Sequence, residues 1–164
     1  MFDYYSLICN LISNNITVST MESCTGGMIC DYITDVENCS RTLIGGYVTY
    51  TNEQKIRCGV SKEIIDKYGV YSKECANNMA EVCRNNTGSM IGIGVTGTLG
   101  NIDSNNSSSQ IGKIYFCICG EVDRIVKEIE LTEFELNLSR IKQKTIVVSE
   151  IFECLEDFIL KGMK

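Results

Sequence analysis

Apolar residues recur along this chain in two rhythms, one helical and one extended. Tyr4, Tyr5, Ile8, Leu11 and Ile12 fall three or four apart and predict an amphipathic helix over 3–14. Over 16–21 apolar and polar residues alternate, as in a strand with two unlike faces. The stretch TGGMICDYITD (25–35) returns to helical spacing, with Thr25 as its opening residue. TLIGGYVTY (42–50) reads as a strand carrying a Gly-Gly pair. Short helices are predicted over 52–58 and 61–68. Ser72 opens a longer one over 72–86, with Ala76, Met79, Ala80 and Cys83 along one side. SMIGIGVTG (89–97) is apolar enough for a buried strand, and IGKIYFCICG with RIVKEIEL predicts a strand pair around Gly120. A last helix is predicted over 134–160, lined by Ile141, Thr145, Val148, Phe152, Leu155 and Ile159.

Helices alternate with strands early, and a strand pair comes late. That order predicts a three-layer α/β/α sandwich with a mixed β-sheet. No repeat or linker divides the chain, so one domain is expected over 1–164. NIDSNNSSSQ (101–110) is polar and of low complexity, and lies between two core strands. It predicts a mobile loop.

Composition narrows the function classes. The net charge of −6 argues against nucleic acid as partner. No apolar run approaches the roughly 18 residues of a membrane span. The N-terminal residues begin acidic and lack a basic n-region, so no signal peptide is expected and the cytoplasm is the expected location. Ten cysteines without a Cys-x-x-Cys pair read as free thiols in a reducing compartment. Proline is absent, so turns must rely on Gly, Asn, Asp and Ser.

The chain contains no histidine. This removes Ser-His-Asp and Cys-His catalysis and every His-ligated metal. A lysine can replace histidine as base when burial or a nearby cation lowers its pKa. Ser23 and Cys24 stand where a predicted strand meets a helix N-terminus, whose amides can take an anion or oxyanion. Gly26 and Gly27 would let a ligand approach the backbone there. The plainer alternative is that Ser23 and Thr25 only cap the helix. Tyr50 and Lys55 in VTYTNEQK, Thr96 and Gly97 in VTG, and Arg140 near the start of the last helix complete the candidates. Taken alone, Lys55 reads as a solvated surface lysine, and Arg140 as a phosphate or carboxylate clamp.

In this order the segments resemble the C-terminal domain of the CinA (competence/damage-inducible) family, whose stand-alone form is a nicotinamide mononucleotide deamidase. The resemblance rests on ESCTGG (22–27), GGYVTYTNEQKIRCGV (45–60), YGVYSKECANNMAE (68–81), VTG (95–97) and IGKIY (111–115), and spans about residues 3 to 160. It implies an α/β/α fold, a homodimer, and hydrolysis of the carboxamide of nicotinamide mononucleotide to nicotinate mononucleotide and ammonia. No metal or other cofactor is implied. Carried over by motif, Ser23 is the nucleophile, Lys55 its base and Tyr50 a supporting residue. Thr25, Gly26, Gly27, Thr96, Gly97 and Arg140 fall on the substrate side, and Cys24 ranks behind Ser23. The chain departs from the family at TGTLGNIDSNNSSSQ, where an Ile-Ala-Gly-Pro-like loop is usual. The nucleotide pyrophosphatase domain of larger relatives has no counterpart in it. The alternative reading is a weakly catalytic nucleotide- or partner-binding module on the same fold.

Overall fold

The computed structural model describes residues 2–162; the outermost positions of the predicted domain, 1 and 163–164, lie outside them. In chain order the elements are α1 (Tyr4–Ser13), β1 (Val18–Glu22), α2 (Met28–Thr34), β2 (Leu43–Val48), α3 (Asn52–Arg57), α4 (Lys62–Tyr68), α5 (Lys73–Thr87), β3 (Ile91–Gly97), β4 (Lys113–Cys119), β5 (Arg124–Glu130), α6 (Glu133–Leu136) and α7 (Arg140–Gly162). A short 3-10 turn, Cys39–Arg41, precedes β2.

The strands form one sheet in the order β2-β1-β3-β4-β5. β1 runs parallel to both β2 and β3, whereas the β3–β4 and β4–β5 pairs are antiparallel. This is the mixed sheet that the element order predicts. Alternation along β3 divides the layers. Ile93 and Val95 join Phe116, Val148 and Phe152 in the core shared with α1, α2 and α7. The intervening Gly92 and Gly94 face α5. A Cβ on Gly94 would collide with the Ala76 carbonyl oxygen, and one on Gly92 with that of Ala80. The absent side chains let α5 lie against the sheet, with Ala76 and Ala80 packed on Cys117 and Cys119.

Three predicted elements differ in detail. The helix expected from Thr25 begins at Met28, because Gly26 and Gly27 adopt positive φ (63° and 95°) in the turn before it. The helix expected over 134–160 is two helices. Thr132 and Glu135 close a capping box around α6, and α7 restarts at Arg140. The buried Gln143 amide bridges the break, donating to the Leu136 and Leu138 carbonyls at 2.9 and 3.1 Å. The 101–110 segment, expected to be a mobile loop, is a loop with hydrogen bonds to its surroundings. Asp103 accepts hydrogen bonds from Tyr71, Asn106 and the Asn105 amide, and Asn52 donates to Asn106. No helix among the described residues is long and apolar enough to cross a membrane.

Candidate active site

The register of the parallel strands decides what meets at their carboxyl ends. Glu22 lies opposite Val48 on one side and Val95 on the other. β1 and β2 stop there and release Ser23 and Thr49, while β3 runs two residues further, through Thr96 to Gly97, still paired with β4. Crevices at this edge are where open α/β sheets receive ligands. A cavity of about 560 Å³ opens there. It is lined by Ser23 from the β1–α2 turn, Tyr50 ahead of α3, Tyr71 ahead of α5, Gly97 at the end of β3, Asp103 in the following loop and Arg140 at the start of α7.

Lys55 reaches this point from below. Thr51 caps α3 by accepting from the Gln54 amide at 3.1 Å, which starts the helix so that Lys55 turns inward. It is the one buried residue of α3 and only 1% exposed, so the surface-lysine alternative does not hold. Its Nζ lies 3.2 Å from Ser23 Oγ and donates to the Thr49 carbonyl at 2.7 Å. No carboxylate pairs with it among the described residues. Burial lowers its pKa below the ordinary lysine value near 10.5. The neighbouring thiols do not supply compensating charge: burial pushes Cys24 up to about 12 and Cys75 up to about 11. The cause of the Lys55 shift is thus desolvation, not Arg140 or a helix N-terminus. An N–H fixed on the Thr49 carbonyl leaves the nitrogen able to take a proton from Ser23.

The expected anion site at the start of α2 is occupied by the protein itself. Glu22, fully buried, turns its carboxylate onto that terminus. Oε2 accepts from the Thr25 hydroxyl at 2.7 Å and from the Gly27 and Ile29 amides at 3.0 and 3.1 Å; Oε1 accepts from the Cys30 amide at 3.1 Å. Thr25, Gly26 and Gly27 therefore build the turn and do not line the cavity. Cys24 does line it, but as a buried, protonated thiol, since desolvation outweighs any help from the helix end. Thr96 is also displaced from its expected role. Its hydroxyl is fully buried and donates to the Val70 carbonyl at 3.0 Å, so it fixes β3 to the segment before α5 while Gly97 faces the cavity.

Arg140 and Tyr50 do meet at the cavity, with Arg140 Nη2 donating to the Tyr50 hydroxyl at 3.2 Å and Nη1 to Asn101 Oδ1 at 3.2 Å. Tyr50 is 61% exposed and stands at the rim. Reasoning from the sequence missed Glu22, Tyr71 and Asp103. Glu22 and Tyr71 stand inside segments that carried the resemblance, and the one signal for Asp103 was a lone acid in a polar loop. Among the described residues no group of three or more Cys, Asp or Glu side chains is placed to hold a metal ion.

The fold and the site define a class: an α/β/α domain with a serine and a buried lysine at the carboxyl edge of its parallel strands. The family model described as CinA C-terminal domain matches residues 5–159, and the chain belongs to that family. A competence-damage inducible protein of Acetivibrio thermocellus is 36% identical over 152 residues, covering 92% of this chain and 35% of that protein. One of Clostridium novyi is 37% identical over 156 residues, covering 94% and 36%. The chain thus spans about a third of the length of these curated relatives. Among solved structures, the competence/damage inducible protein CihA from Agrobacterium tumefaciens superposes with a TM-score of 0.81 at 24% identity, over 96% of this chain and 97% of that one. A CinA superfamily protein from Enterobacter cloacae gives 0.78 at 19%, over 94% of each. At these identities the likeness is one of fold.

Proposed function

We propose that this chain hydrolyses the carboxamide of nicotinamide mononucleotide to nicotinate mononucleotide and ammonia, with Ser23 as nucleophile and Lys55 as base. The observation that carries this reading is the buried, carboxylate-free Lys55 amine 3.2 Å from the Ser23 hydroxyl at the cavity. Membership of the CinA C-terminal domain family supports the substrate. Lys55 takes the Ser23 proton as Oγ adds to the carboxamide carbon. The tetrahedral intermediate collapses as Lys55 returns that proton to the departing nitrogen, and ammonia leaves. Water then attacks the Ser23 ester, again losing a proton to Lys55. Collapse restores the serine hydroxyl and releases the carboxylate. Arg140, the one cation lining the cavity among the described residues, meets the anionic phosphate. Family resemblance and the absence of a membrane-length helix among the described residues support a cytoplasmic place for this activity.

Ammonia release from nicotinamide mononucleotide by the purified protein tests the reading. Ser23→Ala and Lys55→Arg are each expected to lose about a thousandfold or more in kcat, the scale seen when an activated nucleophile or its base is removed. Cys24→Ala should keep most of the rate. An inactive parent, or parent-like turnover by Ser23→Ala, refutes the proposal.

A further inference from the structure

The cavity carries charged groups whose neighbours do not neutralise them. Among the described residues Arg140 is bonded only to neutral partners, the Tyr50 hydroxyl and Asn101. Facing the same space, Asp103 accepts from the Tyr71 phenol and from Asn106 Nδ2, both at 2.6 Å on Oδ2, and from the Asn105 amide at 2.9 Å on Oδ1. Its own amide donates to Ser109 Oγ at 2.8 Å. These bonds, the Tyr71 phenol first, hold the carboxyl ionised, below the usual carboxylate range. No Lys or Arg among the described residues forms an ion pair with it. Asp103 lines the same cavity as Ser23. The other carboxylate lining the cavity, Glu53, is exposed and makes no hydrogen bond that would fix it.

We propose that the Tyr71–Asp103 pair is a cation-accepting end of the cavity that selects a positively charged, oxidised pyridinium ring over the neutral dihydro ring of the same nucleotide. An ionised carboxylate beside an aromatic ring is a pairing by which proteins hold organic cations. With Arg140 it gives the cavity one fixed charge of each sign, matching a nucleotide that is cationic at the base and anionic at the phosphate. The inference rests on the proposed substrate. It adds a discrimination in binding, separate from the lower electrophilicity that conjugation of the ring nitrogen gives the dihydro carboxamide.

Asp103→Asn tests it, because the amide oxygen still accepts from Tyr71 while the charge is gone. Calorimetric binding and ammonia release are measured with nicotinamide mononucleotide and with its dihydro form, for parent and variant. The parent is expected to bind the oxidised form about tenfold tighter, the scale of one partly solvated charge pair. In Asp103→Asn that preference should shrink to about twofold or less, through weaker binding of the oxidised form alone. Equal binding of both forms by the parent, an undiminished preference in the variant, or an equal loss for both forms overturns the inference. Failure to bind either form overturns it as well. A parent that binds with the expected preference but releases no ammonia refutes the proposed reaction and leaves the charge selection standing. Ammonia release without preference does the reverse.

Discussion

Glu22 and Lys55 are both withdrawn from water near this site, and they are handled in opposite ways. Glu22 is given five donors, the Thr20 and Thr25 hydroxyls and three backbone amides, and caps the start of α2 with the amides. Lys55 is given one carbonyl, one serine and no countercharge. A buried amine left this way is costly when protonated, and its folded pKa lies below the ordinary value near 10.5. Between the two values the unfolded chain binds the proton that the folded chain has released. Stability from this residue therefore rises with pH across that window and is reduced below it. Lys55→Met keeps the volume and removes the charge. Urea unfolding should show it more stable than the parent by about 1 kcal/mol or more at neutral pH, with the rise towards alkaline pH flattened. An unchanged or lower stability at neutral pH would mean that the amine sits there without strain. The lysine was legible by motif and spacing. The role of Glu22 was not, because a carboxylate at the end of a strand gives no sign that the next turn will fold back onto it.

At the scale of elements, the strands and most helices follow from hydrophobic rhythm, since β-alternation and helical spacing report directly which side of each element is buried. The rhythm failed where it continued through a break. Phe134, Leu138 and Ile141 keep helical apolar spacing across Asn137–Ser139, so the predicted helix ran on. The capping pair Thr132 and Glu135 was the local sign of a separate short helix, and the Gln143 bonds that set the angle between the two are tertiary. Gly92 and Gly94 show the other way in which sequence underdetermines packing. They resemble weak points in a strand, yet they are the contact that brings α5 down onto the sheet. Gly94→Val should destabilise the fold by about 3 kcal/mol, since its side chain meets the backbone of α5 and not a flexible neighbour. A denaturation midpoint like the parent's would show that α5 can retreat at little cost.

Across the whole molecule, the parallel half of the sheet supplies the chemistry and the antiparallel half supplies the enclosure. β1 and β2 end in register and release Ser23 and Thr49 at one edge, beside the last residues of β3. The β3–β4 connection carries Asp103 over the cavity, and α7 enters with Arg140. Residues at strand ends were legible as candidates because motif and topology agree there. Which of them face the cavity was not, since a hydroxyl such as that of Thr96 is claimed by a neighbouring carbonyl that only the folded chain brings near. The central claim is that Ser23 becomes acylated with Lys55 as its base. Acid-quenching the protein during turnover of nicotinamide mononucleotide, followed by fragmentation mass spectrometry of the peptide containing residues 23 and 24, tests it most directly. The account predicts the nicotinate mononucleotide acyl group on Ser23, absent in Lys55→Arg. An acyl group on Cys24, or its continued appearance on Ser23 in Lys55→Arg at the parent's level, would contradict it.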